Sequence, residues 1–289
     1  MRPRHYTSAD EDSARWDAIT LRDGDVVVST RSKHGTTWVQ AILLMLEHGP
    51  VLPAPLPVLS PWVDHLVEPV DEVAARLEAQ QHRRVLKTHT PLDGLALRDG
   101  VHVVVVARHP LDAALSLYHQ GANIDRGRLA ELTGAPTPTV TGRPDETTWL
   151  VDWIHAQRDP IEALDSLQGV AWHVTDAWAR RDRADVTLVH YADLATDLPG
   201  QVRRLARRTG LGVDVDLDAV VEATRFDAMR DRATALAPDT TGVLRDRARF
   251  FRGGRRGDGV AALPPADLAA YRARMAGLVP PDLDTWLHR

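Results

Sequence analysis

Short apolar runs rich in valine alternate along this chain with segments whose apolar residues recur at helical spacing. The β-branched runs predict strands at residues 26–30, 84–88, 101–108 and 186–191. The 3.6-residue periodicity predicts helices at residues 36–47, 111–119, 146–165, 170–181 and 198–209. Because strands buried on both faces are near-continuously apolar and are joined by helices, the pattern predicts an α/β fold with three layers, in which helices flank a central, mostly parallel sheet.

Two stretches fit neither period. Residues 50–61 are dense in proline, and residues 133–148 are rich in threonine, proline and glycine. Loops of this length are often lids or binding loops, although a tolerated insertion explains them equally well. There is no internal repeat and no linker, so we expect residues 1–289 to form a single domain.

Composition narrows the function classes. The 289 residues are 44 % hydrophobic and 26 % charged, which is typical of a globular protein. The formal charge of −5 gives no sign of a nucleic-acid partner, so any anion site must be local. Cysteine is absent, which excludes disulfides, thiolate metal sites and cysteine nucleophiles. No apolar run approaches the 18 residues of a membrane span, so we expect no membrane partner and a soluble, cytoplasmic protein.

Residues 25–40 (DVVVSTRSKHGTTWVQ) carry the most informative pattern: a buried strand, a tight turn and then a helix. The unpaired N–H groups at a helix start favour a phosphate in such a turn. Gly35 lets the backbone approach it, while Lys33, Thr36 and Thr37 add a cation and two hydroxyls. The turn alone is weak evidence, because a plain strand–turn–helix junction explains it about as well.

This turn differs from the phosphate loop of ATPases, GxxxxGK[ST], because its lysine precedes the glycine. An ATPase also needs an aspartate at the end of a neighbouring strand to hold Mg²⁺. The strand at 101–108 ends in Arg108 instead, which suits a second anionic group better.

Three further features follow predicted strands or helices. His89 follows the strand at 84–88, at the sheet edge where ligands of α/β folds bind, and histidine is the natural general base near neutral pH. Arg108 precedes a helix on which Ser116 lies two turns along. Arg252 lies in an arginine- and glycine-rich segment that can wrap a phosphate. Each has an ordinary alternative: a surface histidine, a helix start and a solvated basic loop.

Together these features resemble the cytosolic-type sulfotransferases, whose sulfuryl donor is 3′-phosphoadenosine 5′-phosphosulfate (PAPS). The family motif TYPKSGTTW is similar to residues 30–38, KTHxP to 87–91, and ARNPKDxxxS to 107–116. A Tyr-x-Asp-Leu element matches residues 191–194, and FxRxGxxGD matches 250–258. The resemblance covers about residues 22–260 and implies a P-loop-like fold.

The resemblance also implies roles. His89 would accept the proton of a small-molecule acceptor, and Lys33 would counter charge on the leaving oxygens, with no metal required. The acceptor is expected to be aromatic or lipophilic and to react through a hydroxyl or amine. The product would be adenosine 3′,5′-bisphosphate (PAP). The implied donor-binding residues are Lys33, His34, Gly35, Thr36, Thr37, Trp38, Arg108, Ser116, Tyr191, Thr224, Phe226, Arg252 and Gly254.

The chain departs from the family pattern at several positions. His34 replaces a serine, Gly253 replaces a lysine, and Arg31-Ser32 replaces Tyr-Pro, which is expected to leave the turn less rigid. Residues 260–278 do not match the dimerisation motif of animal members, so the oligomeric state is not assigned. Two alternatives stay open: a P-loop kinase or NTPase, and a non-catalytic member that binds nucleotide.

Overall fold

The valine-rich runs form a four-stranded parallel sheet in the computed structural model of the protein. The strands are β1 (Val26–Thr30), β2 (Val85–Thr88), β3 (His102–Ala107) and β4 (Val186–His190), in the spatial order β2-β1-β3-β4. Val26 of β1 lies opposite Val85 of β2 and His102 of β3, so all the carboxyl ends meet at one edge. The predicted α/β fold with a central parallel sheet is confirmed.

The structure describes residues 2–136, 142–253 and 256–289. The helices along the sheet are α1 (Thr36–His48), α2 (Leu56–Leu59), α3 (Val70–Ala79), α4 (Pro110–Asn123), α5 (Arg126–Thr133), α6 (Glu146–His155) and α7 (Leu167–Trp178). After β4 come α8 (Tyr191–Thr196), α9 (Leu198–Thr209), α10 (Leu217–Ala223), α11 (Phe226–Asp231), α12 (Ala233–Leu236), α13 (Asp258–Ala261), α14 (Pro265–Leu278) and α15 (Pro281–Leu287). Short 3₁₀ helices cover Ser13–Ala18, Leu92–Gly94 and Ala248–Phe250.

Alternate residues of each strand face opposite helical layers, as the two-residue period of a strand requires. Val26 and Val28 pack with α1, α9 and α10 on one face. Val27 packs with α3 and with Ala177 of α7 on the other. A third apolar cluster joins α4, α6, α7, α14 and α15 beyond β3. The sheet edge is thus held rigidly between two helical layers.

Some predicted boundaries were wrong. The helix predicted at 146–165 ends at His155, because Ala156 has a ψ of 132° and is no longer helical. Pro160 follows closely and the residue before a proline avoids helical geometry, so the pattern could not continue. The proline-rich stretch 50–61 contains the short helix α2. Of the stretch 133–148, residues 137–141 lie outside the described residues.

Across the described ranges, no helix is both long and apolar enough to cross a lipid bilayer.

Candidate active site

A cavity of about 350 Å³ opens where the four strands end, and we call it the edge cavity. Each strand delivers a side chain or a following turn to it. Lys33 comes from the turn after β1, His89 from the turn after β2, Arg108 from the end of β3 and Tyr191 from the end of β4. The parallel topology therefore assembles in one place residues that are far apart in the sequence.

The turn between β1 and α1 has an unusual backbone. Lys33 has a φ of 65°, the one positive φ of a non-glycine residue in the described part of the chain. Gly35 has a φ of 109° and precedes the first turn of α1. A Cβ atom on Gly35 would lie 2.9 Å from Cδ2 of Tyr191, so glycine is required here for two reasons. Strain of this kind is concentrated at ligand sites.

The start of α1 points into the edge cavity, where Thr36 and Thr37 contribute to the lining. The Thr36 hydroxyl is hydrogen bonded to the hydroxyl of Thr30. Gly35 supplies no side-chain cap, so the first N–H groups of the 13-residue helix are available to a ligand. This arrangement suits an anionic group in the turn.

Lys33 is a half-buried cation at this turn. Its Nζ lies 3.4 Å from Oε1 of Gln120 and 3.8 Å from the centre of the Phe250 ring. Burial, followed by repulsion from Arg108, Lys87 and Arg252, lowers the pKa of Lys33 to about 7. Several cations thus converge on one cavity, although the protein as a whole is acidic. Such an excess of positive charge is stabilised by an anionic ligand.

Lys87 is a second lysine of the cavity, and the sequence interpretation gave it no role. It lies on β2, is almost fully buried, and its Nζ is 3.6 Å from the centre of the Trp62 ring. Burial lowers its pKa to about 8. A lysine in the interior of a predicted strand was the signal that could have identified it.

His89 is held in one orientation. Its Nδ1 donates to the Thr30 carbonyl oxygen, which leaves Nε2 as the atom with a lone pair. The side chain is 3 % exposed and lines the edge cavity. Burial, with Lys87 and Arg31 nearby, holds the pKa of His89 well below its usual range. The imidazole is therefore neutral at pH 7, the form that a general base requires.

Asp64 fixes the turn that carries His89. Its carboxylate accepts from the His89 backbone N–H at 3.0 Å and from the Thr90 N–H at 3.0 Å. It also accepts from the hydroxyls of Thr88 and Thr90, both at 2.7 Å. Sequence reasoning missed Asp64, because it lies 25 positions from His89 and no local pattern links the two.

Arg108, Ser116 and Arg252 line one side of the edge cavity. The Arg108 guanidinium lies 4.4 Å from the centre of the Tyr191 ring, and one of its N–H groups donates to the Lys33 carbonyl at 3.4 Å. The arginine-rich segment is tied to α4 because Asp112 accepts from the N–H groups of Gly257 and Gly259, each at 2.9 Å. Gly254, also predicted here, lies outside the described residues.

An aromatic wall forms the next part of the cavity. Trp38, Tyr191 and Phe226 line it, and the Trp38 and Tyr191 rings meet edge to face at 5.4 Å. Trp38 Nε1 donates to the Thr224 carbonyl at 2.9 Å. The Thr224 side chain is fully buried and bonds to Val220 instead, so Thr224 positions Trp38 and does not line the cavity.

The His34 side chain is not part of the cavity lining. It is buried, and its Nδ1 donates to the Ser32 carbonyl at 2.9 Å. Burial lowers its pKa to about 4, so the ring is neutral. The predicted contact of this histidine with a nucleotide is therefore limited to its backbone.

Known proteins share this architecture. A family model described as "Sulfotransferase domain" matches residues 23–276. The chain belongs to the sulfotransferase family. A glycolipid sulfotransferase of Mycobacterium bovis is 40 % identical, with 98 % of this chain and 93 % of that protein aligned. A glycolipid sulfotransferase of Mycobacterium tuberculosis is 39 % identical over the same shares.

Solved structures show the same fold as this sulfotransferase. Retinol dehydratase in a complex with retinol and PAP has a TM-score of 0.69 at 20 % identity, with 92 % of this chain and 86 % of that chain covered. A mouse sulfotransferase complexed with PAP has a TM-score of 0.65 at 16 % identity, with coverage of 95 % and 92 %. The prediction of a sulfotransferase enzyme that uses PAPS is confirmed, and the kinase or NTPase alternative is not supported.

Proposed function

We propose that this sulfotransferase moves the sulfuryl group of PAPS to a hydroxyl of a lipophilic acceptor of the glycolipid type, with Lys33, Lys87 and His89 around the reacting sulfur. The convergence of these three side chains with Arg108 in one cavity carries the proposal. The 5′-phosphosulfate lies against the Lys33 turn and the start of α1, where the backbone N–H groups and the cations favour it.

The residues that line the cavity also suggest where the other parts of PAPS bind. Arg108, Ser116 and Arg252 bind the 3′-phosphate, since two guanidinium groups match its oxygens. Trp38, Tyr191 and Phe226 enclose the adenine. Gly35, Thr36 and Thr37 contact the 5′-phosphate; His34 contributes through its backbone and Thr224 by positioning Trp38, while Gly254 stays a prediction from the family motif.

Sulfuryl transfer to a hydroxyl requires the removal of one proton from the acceptor. The His89 Nε2 lone pair takes the proton of the acceptor hydroxyl as its oxygen bonds to sulfur. The bond from sulfur to the 5′-phosphate oxygen breaks, and PAP leaves with the electron pair. Lys33 and Lys87 stabilise the charge that develops on the transferring and leaving oxygens, a contribution of roughly 3 to 4 kcal/mol per preorganised donor.

One side of the edge cavity carries a group of apolar side chains, and we assign the acceptor to it. Leu56 and Pro57 come from the proline-rich stretch, Trp62 directly follows it, and Ile124 and Leu129 come from the α4–α5 region. These side chains favour an alkyl chain or ring. The mycobacterial relatives named for glycolipids support the same acceptor class.

Nucleotide binding and transfer test the proposal together. Calorimetry should show tight binding of PAP in the presence of EDTA. In a separate titration with excess Mg²⁺ and no EDTA, Mg·ATP should not compete with PAP. Octyl β-D-glucopyranoside incubated with PAPS should then gain one sulfate, detected by mass spectrometry. Binding of PAP without transfer to any alcohol or glycoside would favour the non-catalytic alternative. A single domain, a cytoplasmic location and the absence of nucleic-acid and membrane partners stay predictions.

A further inference from the structure

A second cavity, of about 530 Å³, adjoins the edge cavity, and we call it the side chamber. It lies between the N-terminal residues 8–11, helix α6 and the loop at 156–166. Asp10, Glu11, Leu117 and Asp165 line both cavities, so the two share one wall. The donor roles proposed above use none of these four residues.

Arg31 lines the side chamber and connects it to the reaction centre. The side chain is 2 % exposed. Its guanidinium bonds to Asp165 at 2.8 Å, contacts Glu11 at 3.5 Å and donates to the carbonyl of His89. Its Nε is buried and has no hydrogen-bond partner in the described structure. Through Arg31 the chamber is therefore connected to the turn that carries His89.

The chemistry of the lining matches a carbohydrate. Trp149 and Trp153 supply indole surfaces, on which the C–H face of a sugar ring packs. Burial raises the pKa of Asp10 and of Glu11, which favours their neutral form. A carboxyl group hydrogen bonds to sugar hydroxyls in either form, because it accepts when ionised and both donates and accepts when protonated. Arg31 and Arg158 in the same lining offset part of the charge of its acidic residues and offer N–H donors to sugar oxygens.

We propose that the side chamber is a subsite for the carbohydrate head of the acceptor, which lies on the indoles and hydrogen bonds through its hydroxyls to the chamber carboxyl groups. The inference rests on the proposed function, since the sugar must present one hydroxyl to His89. The alkyl part of the same acceptor occupies the apolar side of the edge cavity. The sugar thus lies at the border of the two cavities, where Asp10, Glu11 and Asp165 line both, and the chain lies on the apolar side of the edge cavity.

Binding to the PAP-loaded protein tests this subsite without any need for turnover. Calorimetry compares octyl β-D-glucopyranoside with 1-octanol, which has the same chain and no sugar. The wild type should bind the glucoside at least tenfold more tightly. Asp152 is exposed and, of the two cavities, lines only the side chamber. Asp152→Asn should weaken the binding of the glucoside by about 2- to 10-fold, which is the loss expected for one hydrogen bond. Trp149→Ala should weaken it further.

Neither variant should change the binding of 1-octanol or of PAP. The exposed Asp214, which lies outside both cavities, provides a matched control as Asp214→Asn and should change nothing. Equal wild-type affinity for glucoside and octanol, or an unchanged ratio in both variants, would overturn the subsite. Tighter binding of octylamine than of the glucoside would overturn it in favour of a cationic acceptor. Absence of PAP binding by the wild type would instead count against the proposed function.

Discussion

The low pKa of Lys33 predicts that donor binding takes up a proton. With its pKa lowered to about 7, the lysine is partly neutral in the free protein near pH 7. A phosphate placed beside it favours the charged form and raises the pKa, so the bound state holds one proton more. The affinity for PAP should therefore fall as pH rises above 7, by up to about tenfold or 1.4 kcal/mol per pH unit. Lys87, with a pKa of about 8, steepens the fall above pH 8.

Calorimetry at pH 6.5 to 9 measures the affinity for PAP. Repeating it in buffers of different ionisation enthalpy measures the number of protons taken up on binding. Ionisation of PAP cannot imitate the effect, because its phosphates lose their second proton near pH 6 and would make affinity rise with pH. Lys33→Arg keeps its charge at every pH and should remove most of the slope between pH 7 and 8, leaving the smaller contribution of Lys87. A constant affinity from pH 7 to 9 in the wild type, or an equal slope in Lys33→Arg, would refute the reasoning.

Three further substitutions probe the site. His89→Ala should lower kcat by about 10² to 10⁴ while the Kd of PAP stays constant in calorimetry; a similar loss in both would indicate a structural role. Arg108→Ala should weaken the binding of PAP by about 10- to 100-fold. It should hardly change the binding of AMP, which lacks the 3′-phosphate, and equal losses for the two nucleotides would contradict a 3′-phosphate contact. Gly35→Ala forces a Cβ against Tyr191 and should cost about 1–3 kcal/mol in chemical denaturation. The control Gly134→Ala should cost less, because Gly134 is also left-handed (φ 69°, ψ 8°) and has open space around it; equal costs would exclude the clash.

The sequence allowed correct prediction of features that are local. The strand β1 and the start of α1 were predicted at their observed residues, because an unbroken valine run and a glycine turn determine them within a few positions. Arg108 and His89 were placed at one sheet edge because parallel strands must end together. Their side chains do line one cavity.

The remainder depended on contacts between distant segments. Arg31 was expected to loosen the turn, yet it is held by Asp165, which lies 134 positions away, and the Ser32 N–H also donates to Asp165. Asp64 orients the turn of His89 from outside any motif. His34 turns away from the cavity, which no spacing pattern could show, because its direction is set by burial beneath the turn. Helices α14 and α15 were not predicted either, and they cover the third apolar cluster.

The central claim is that the edge cavity transfers sulfate from PAPS with His89 as base. Single-turnover reactions with ³⁵S-labelled PAPS and octyl β-D-glucopyranoside test it most directly, with the wild type and His89→Ala compared at saturating donor. The account predicts that label appears on the glucoside as PAP forms in equal amount, and that His89→Ala binds PAP normally but transfers at least 100-fold more slowly, the lower bound for a general base. Label transfer by His89→Ala at the wild-type rate would contradict the account.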